Sequence, residues 1–209
     1  MNRDIQGVVV TGGKIPNRRV IEPFLSGETV IVAADSGVDN AHRLGLSPDF
    51  AVGDFDSIEN PDLLERLPSD RVFRHPRDKD LTDTELALAI LAERDIFGSV
   101  ILGGGGGRLD HLLALVSLFH RNPGPSLWIT HNAIIRRLTA DHAIETGKGT
   151  TVSFFPLGGE PCRMTTTGLK WPLDDLKWGP GDVGLSNETT ERTITVTVSS
   201  GALLMVRPL

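Results

Sequence analysis

The stretch Ala51-Val52-Gly53-Asp54-Phe55-Asp56-Ser57 places two carboxylates one residue apart at the point where a short apolar run ends. Apolar runs of similar length recur along the first two thirds of the chain, and segments with helical spacing separate most of them. The runs predict strands at 7–10, 30–34, 50–52, 71–73, 99–102 and 127–130. Strands that are apolar almost throughout and alternate with helices predict an α/β fold with a parallel sheet covered on both faces.

Four segments between these strands predict helices. The segment 38–44 ends at Gly45, which is a common helix stop. The segment 82–94 begins with Thr82-Asp83-Thr84-Glu85, which has the form of a capping box. Helices are also predicted at 61–67 and 109–119.

The pattern changes after about Asn132. Residues with β-branched side chains are frequent in 150–155 and 192–198, and the latter segment alternates apolar and polar residues with period two. Ser199-Ser200-Gly201 then predicts a turn into a hairpin partner at 202–206. We therefore expect an α/β domain over residues 1–132 and a small antiparallel β domain over residues 133–209.

The bulk composition describes an ordinary globular protein and argues against several classes of function. The chain has 209 residues, of which 39% are hydrophobic and 23% charged, and its formal net charge is −6. That charge argues against binding to a nucleic-acid backbone, which needs a basic face. The single cysteine, Cys162, excludes an internal disulfide and a multi-cysteine zinc site. Because no window is apolar over the length of a bilayer and no signal-peptide pattern opens the chain, we expect a cytoplasmic protein.

Polar clusters follow the predicted strands of the first domain. In an open α/β sheet, ligands bind beyond the carboxyl ends of the strands, so these positions decide where chemistry can occur. The clusters are 11–14, 35–37, 53–57, 75–80, 103–107 and 131–132. Each of them alone is also compatible with an ordinary polar turn. Their convergence on one edge of the sheet predicts a functional site there.

The carboxylates of this edge are typical of a site for a divalent cation. Carboxylates held close together repel each other unless a cation lies between them, and Mg²⁺ usually takes one or two carboxylates with water and substrate phosphates. Asp54, Asp56 and Asp80 are the preferred metal ligands. Asp83 has two interpretations of equal weight, as a further acidic group of the site or as a helix-start residue favoured by the helix dipole.

Five glycines, Gly103 to Gly107, connect a predicted strand to a predicted helix and lead into Arg108-Leu109-Asp110-His111. They are not a Walker A loop, because no Gly-Lys-Ser/Thr follows them. Backbone amides at the start of a helix can face an anion, and Arg108 adds a positive charge. The alternative is a flexible surface loop, for which five glycines would be a costly solution. Asp110 is either a helix-entry carboxylate or a ligand-binding group, and His111 is more readily explained as packed or capped than as catalytic.

Trp171 is the most conspicuous residue of the predicted β domain, where it lies between Lys170 and Pro172. Tryptophan in a small β domain is usually part of the core. In a turn-rich segment it is equally suited to stacking against a flat or cationic ring. The sequence leaves both interpretations open.

These motifs, in this order, resemble the thiamin pyrophosphokinase family. The matching segments are 34–37 (ADSG), 48–57 (PDFAVGDFDS), 80–88 (DLTDTELAL), 107–111 (GRLDH), 168–173 (GLKWPL) and 185–187 (LSN). The chain departs from the usual family pattern at Ser36-Gly37-Val38, and at Leu86, where a lysine is common. The resemblance implies an N-terminal, mostly parallel, Rossmann-like three-layer domain and a C-terminal antiparallel β-sandwich. It also implies a homodimer with active sites where the subunits meet.

The implied reaction transfers pyrophosphate from ATP, the co-substrate, to the hydroxyl of thiamin and gives thiamin diphosphate and AMP. Such a transfer needs charge neutralisation and in-line placement more than covalent help from the protein. The implied catalytic residues are Asp54, Asp56, Asp80, Asp83 and Arg108, with Mg²⁺ on Asp54, Asp56 and Asp80, and with Asp80 or Asp83 accepting the hydroxyl proton. The implied nucleotide- and vitamin-binding residues are Asp35, Ser57, Gly104, Gly105, Gly106, Gly107, Arg108, Asp110, Trp171, Ser186 and Asn187.

Two alternative functions remain. A magnesium-dependent phosphohydrolase of the haloacid dehalogenase type also has Asp-x-Asp after a strand, but its first aspartate is a nucleophile that forms a phosphoaspartate. That chemistry leaves the glycine run and the tryptophan of the β domain unexplained. The second alternative is a catalytically silent module that senses a nucleotide or a vitamin, which would bind its ligand without producing AMP.

Overall fold

The computed structural model describes residues 5–25 and 28–209. The chain divides into two units, of which the first ends at Asn132 and the second comprises Ala133–Leu209. None of the helices in the described ranges has both the length and the apolar composition that crossing a bilayer requires.

The first unit is built on parallel strands. In the described ranges they are β1 Gly7–Val10, β2 Val30–Ala34, β3 Phe50–Gly53, β4 Val72–Arg74, β5 Ser99–Leu102 and β6 Leu127–Ile129. They lie side by side in the order β4-β3-β2-β1-β5-β6, and every neighbouring pair is parallel. Every residue of β1 and β5 is buried, as the apolar runs of these two central strands predict.

Helices connect these strands and cover both faces of the sheet. They are α1 Arg18–Ile21, α2 Gly37–Arg43, α3 Asp62–Glu65, α4 Asp83–Ala92 and α5 Leu109–Leu118, with short 3-10 turns at Glu22–Phe24 and Ser69–Arg71. On one face, Val38 of α2 and Leu63 of α3 pack in one cluster with Ala33 and Ala51 of the sheet. Since strand–helix–strand connections are right-handed, the return from β4 to β5 puts α4 on the opposite face. The predicted α/β fold is therefore confirmed.

Local signals explain where the helices begin and end. The Thr82 hydroxyl accepts a hydrogen bond from the Glu85 amide (3.3 Å), and the Glu85 carboxylate accepts one from the Thr82 amide (2.7 Å), which confirms the predicted capping box at the start of α4. The chain leaves α2 through Gly45, whose φ of 65° lies in the left-handed region that glycine adopts freely.

The second unit contains two antiparallel sheets. Its strands are β7 Ala133–Leu138, β8 His142–Glu145, β9 Thr151–Leu157, β10 Cys162–Thr167, β11 Leu176–Trp178, β12 Gly184–Glu188, β13 Thr193–Ser200 and β14 Ala202–Pro208. One set lies in the order β12-β9-β14-β7 and the other in the order β11-β10-β13-β8. Both sets contribute to one core, with Phe154 and Met205 from the first and Met164 and Ile194 from the second. The C-terminal β-sandwich is confirmed.

The predicted hairpin between β13 and β14 is wrong. β13 pairs with β10 and β8, whereas β14 pairs with β7 and β9, so the two consecutive strands belong to different sheets. The chain passes between the sheets at Gly201, whose φ is 74° and where a Cβ atom would lie 2.9 Å from the Cα of Cys162. A turn signal between two β-rich segments indicates a change of direction, but it does not indicate which strands will become neighbours.

Candidate active site

A cavity of about 390 Å³ opens at the carboxyl edge of the parallel sheet. The strand order reverses between β1 and β5, and such a switch point leaves a crevice between the loops that follow the two strands. The two loops contact each other directly. The Lys14 amide donates to the Gly105 carbonyl oxygen (2.8 Å), and the Gly104 amide donates to that of Gly12 (2.7 Å).

The glycine run is packed against its surroundings on one side and open on the other. A Cβ atom on Gly103 would lie 2.6 Å from the carbonyl oxygen of Thr11, and the φ of Gly103 is 104°. A Cβ atom on Gly107 would have no heavy atom within 4 Å. Gly104, Gly105 and Gly107 line the cavity. The run is therefore a closely fitted wall of the cavity, which argues against a flexible surface loop.

Three carboxylates meet at the ends of two neighbouring strands. Asp35 follows β2, and Asp54 and Asp56 follow β3; each offers an oxygen atom, and these oxygens lie within 4.8 Å of one another. The backbone is unusual here, because Asp35 and Phe55 have φ angles of 49° and 60°. Non-glycine residues in this left-handed region are held there by their surroundings and are common at functional sites.

The surroundings of these carboxylates fit a divalent cation. One carboxylate oxygen of Asp35 is buried and has no hydrogen-bond partner among the described residues. Ser57 donates to Asp56 over 2.8 Å, and the exposed guanidinium of Arg77 lies 3.6 Å from the same carboxylate. Three close carboxylates with an unpaired buried oxygen are costly without a positive charge between them, and hard oxygen donors are what Mg²⁺ prefers.

Asp80 and Asp83, the other predicted acidic residues, have different positions. Asp80 is exposed and, within the described ranges, is not part of the group formed by Asp35, Asp54 and Asp56. Asp83 is the first residue of α4 and lines the cavity, and the ammonium of Lys79 lies 3.1 Å from it. The pKa of the Asp83 carboxyl is raised: burial is the largest cause, the charges of Asp35 and Asp54 add to the rise, and the hydrogen bond and charge of Lys79 act against it.

Arg108 and Asp110 form an exposed pair at the start of α5. The Arg108 Nε lies 3.1 Å from Asp110 Oδ1, and its Nη2 also donates to Asp110 Oδ2. Arg108 lines the cavity, as does His111, which is exposed rather than packed. The hydrogen bonds from Arg108 lower the pKa of Asp110. The positive charge of Arg108 is therefore held beside the cavity by a neighbouring carboxylate.

Two buried polar residues of α2 hold the loops of the site, and the sequence analysis missed both. The Asn40 side chain donates to the carbonyl oxygens of Thr11 (2.8 Å) and Gly13 (3.0 Å). The Asp39 carboxylate accepts hydrogen bonds from the backbone amides of Glu59 (2.9 Å) and Asn60 (3.1 Å). The only signal in the sequence is a pair of polar residues between apolar ones in a short helix, which does not identify their partners.

In the second unit Trp171 is 54% exposed, which excludes the core interpretation. The Lys170 ammonium lies 4.8 Å from the centre of its ring. Buried Asn187 donates to the Trp171 carbonyl oxygen (2.7 Å) and accepts from the Trp171 amide (3.3 Å), so its side chain holds the tryptophan backbone. The neighbouring Ser186 is exposed, and its φ is 57°. The exposed part of the Trp171 ring is thus suited to stack against a ligand, beside the ammonium of Lys170.

Comparison with known proteins gives the same family for both units. Residues 21–129 match the model of the thiamin pyrophosphokinase catalytic domain, and residues 141–203 match that of the thiamin pyrophosphokinase vitamin B1 binding domain. A thiamine pyrophosphokinase of Bacillus subtilis is 29% identical over a 212-residue alignment that covers 95% of this chain and 96% of the relative.

Solved structures of similar proteins have the same fold. The crystal structure of thiamine pyrophosphokinase from Bacillus subtilis has a TM-score of 0.79 at 26% identity, with 97% of this chain and 98% of the other covered. That of thiamin pyrophosphokinase from Geobacillus thermodenitrificans has a TM-score of 0.77 at 25% identity, with 97% of each chain covered.

Proposed function

The chain belongs to the thiamin pyrophosphokinase family, and we propose that it transfers the pyrophosphoryl group of ATP to the hydroxyl of thiamin, giving thiamin diphosphate and AMP. The observation that carries this proposal is the position of Asp35. This residue belongs both to a group of three carboxylates and to the wall of a cavity that is also lined by the glycine run. An acidic group next to closely approachable backbone is suited to a metal-bound polyphosphate.

The proposed ligands of the divalent cation are Asp35, Asp54 and Asp56. Their geometry favours Asp35 over Asp80 as the third carboxylate beside Asp54 and Asp56, and Asp80 is kept as a ligand only by the family pattern. A bound Mg²⁺ would neutralise charge on the phosphate oxygens of ATP.

The remaining groups of the cavity have separate roles in this proposal. The backbone at Gly104, Gly105 and Gly107 and the guanidinium of Arg108 hold the negative charge of the transferred group. Of the two proton acceptors considered, the geometry favours Asp83. It lines the cavity, and its raised pKa brings the carboxylate closer to the range in which it accepts a proton efficiently.

Thiamin is assigned to residues of the second unit. Its thiazolium ring is cationic, and the exposed face of Trp171 offers a cation–π platform for it. Asn187 holds the backbone of Trp171, and Ser186 is the exposed residue that precedes Asn187. A homodimer that completes the site with residues of a second subunit, and a cytoplasmic location, belong to the same proposal. Neither alternative function is supported by the comparisons.

The test is to incubate the protein with ATP, Mg²⁺ and thiamin and to analyse the products. We expect AMP and thiamin diphosphate in equal amounts. Inorganic phosphate together with a labelled phosphoaspartate would favour the phosphohydrolase instead. Saturable binding of thiamin or ATP without AMP would favour the sensing module.

A further inference from the structure

Lys79 is held unusually tightly for a lysine in a loop. It lies in the segment between β4 and α4, and its side chain is only 14% exposed. Its ammonium lies 3.1 Å from the Asp83 carboxylate and donates to the Pro76 carbonyl oxygen, also over 3.1 Å. Lysine is almost never buried to this degree unless its charge is paired, so Lys79 and Asp83 stabilise each other in this position.

The carboxylate that Lys79 holds lies in the field of the acidic group. The charges of Asp35 and Asp54 act on Asp83, and Asp35 and Asp83 line the same cavity. Among the described residues, the group whose oxygens lie within 4.8 Å of one another consists of Asp35, Asp54 and Asp56; Asp83 is a further carboxylate of the same cavity, and Lys79 is paired with it. A divalent cation that enters the cavity finds Asp83 already engaged by another positive charge.

We propose that Lys79 is a positioning residue that competes with the divalent cation for the carboxylate of Asp83; the inference rests on the cation site of the proposed function. While Lys79 holds Asp83, this carboxylate is not available to join Asp35, Asp54 and Asp56 around the cation. Mg²⁺ sites that also bind substrate phosphates usually contain one or two protein carboxylates. Lys79 thus limits the affinity for the free ion, favours its arrival with the nucleotide and keeps Asp83 available for the thiamin hydroxyl.

Mn²⁺ alone, titrated calorimetrically into metal-free protein without nucleotide, tests this inference. Lys79→Met removes the competing charge, and we expect Mn²⁺ to bind about tenfold more tightly. Lys79→Arg keeps the charge and should stay within about twofold of the wild type. Lys177→Met, which removes an exposed lysine of β11, is the control for loss of one positive charge.

Because Lys79 is proposed to act through Asp83, the effect must depend on that residue. In an Asp83→Asn background, Lys79→Met should change the Mn²⁺ affinity by less than about twofold, which makes the two substitutions strongly non-additive. An unchanged affinity in Lys79→Met, or the same gain in both backgrounds, would overturn the inference.

Thermal unfolding gives a second measurement if Lys79→Met is unstable. Removing one partner of a partly buried ion pair leaves a costly charge, so the Tm in EDTA should fall, and Mn²⁺ should raise it more than in the wild type. An equal rise in both proteins contradicts the competition. AMP production is measured in the same preparations. If the wild type produces AMP but Lys79→Met leaves the Mn²⁺ affinity unchanged, only this inference is refuted. If Lys79→Met raises the Mn²⁺ affinity in an Asp83-dependent way but the wild type produces no AMP, only the proposed function is refuted.

Discussion

The side-chain amide of Asn40 donates a hydrogen bond to the backbone carbonyl oxygen of Thr11 over 2.8 Å, and thereby ties the loop after β1 to helix α2. Asn40 is buried, and the same amide also bonds Gly13. The wall of the cavity therefore depends on a residue that does not line it.

We expect Asn40→Leu to lower the free energy of unfolding by about 1–3 kcal/mol, because it removes the donor of two partly buried hydrogen bonds, to the carbonyl oxygens of Thr11 and Gly13. Urea denaturation measures the change. The KM for ATP should rise as the loop loosens. Asn60→Leu, at an exposed position, should change stability by less than about 0.5 kcal/mol. Equal stability of the two variants would show that the Asn40 bonds contribute nothing.

Asp54→Ala and Asp56→Ala should each lower turnover by at least about 100-fold while stability in EDTA changes little. Both residues contribute to the acidic group, and removal of one carboxylate also relieves repulsion in the metal-free protein. Steady-state AMP production and thermal unfolding are measured together. Asp70→Ala, in the exposed 3-10 turn before β4, is the matched control. Wild-type turnover in either variant would refute the cation assignment.

Trp171→Ala should raise the KM for thiamin several-fold more than the KM for ATP, because the ring is proposed to contact only the vitamin. The exposed position of Trp171 predicts little change in Tm. Trp171→Phe should recover part of the affinity, since it keeps an aromatic face, and Val183→Ala serves as an exposed control in the same unit. A larger effect on the KM for ATP than on the KM for thiamin would indicate that thiamin does not bind at Trp171.

The carboxylate of Glu85 should make the free energy of unfolding depend on pH in the acid range. Burial alone would raise its pKa, but hydrogen bonds from the Thr82 hydroxyl and amide and the pairing with Arg121 outweigh it and lower the pKa below the ordinary 4.5. A lowered pKa in the folded state contributes stability that is complete above pH 4.5 and is lost as pH falls through the folded value. The difference in unfolding free energy between wild type and Glu85→Gln should therefore shrink below pH 4.5.

Urea denaturation between neutral and acid pH measures this difference. Glu93→Gln, at the exposed C-cap of the same helix, is the control for removing a carboxylate from α4. If the difference in unfolding free energy between the wild type and Glu85→Gln grew on acidification, its pH dependence would have the opposite sign. That result would disprove the lowered pKa of Glu85.

Gly103→Ala and Gly107→Ala form a matched pair within one loop. A methyl group on Gly103 would lie 2.6 Å from a backbone oxygen at a φ of 104°, so we expect a loss of about 2 kcal/mol or more. A methyl group on Gly107 meets nothing within 4 Å, and we expect a change below about 0.5 kcal/mol. Chemical denaturation of both variants measures the contrast, and similar stabilities would mean that the loop is not closely packed.

Much of the fold was predictable because its signals are local. Apolar runs identified the strands of the first unit, and Thr82 with Glu85 identified the start of α4. The convergence of Asp35 with Asp54 and Asp56 was less accessible, because it depends on β2 lying beside β3. Each carboxylate follows its own strand, and only the lateral order of the strands makes them neighbours.

The remaining errors and omissions share this cause. Gly201 indicates a turn, but the sheet that β14 joins depends on partners elsewhere in the chain. The bonds of Asn40 to Thr11 and Gly13 likewise connect segments that sequence periodicity treats separately. Period and turn signals describe a segment, whereas these features belong to pairs of segments.

The bond from the Gly104 amide to the Gly12 carbonyl oxygen has a consequence for the order of folding. It joins the ends of two strands that are distant in the chain, and such non-local contacts form late because the intervening chain must first be ordered. Under the proposed function, a nascent or partly unfolded molecule would therefore lack the completed wall that faces the phosphates and would not turn over ATP. Hydrogen–deuterium exchange at that amide should proceed only through global opening of the sheet.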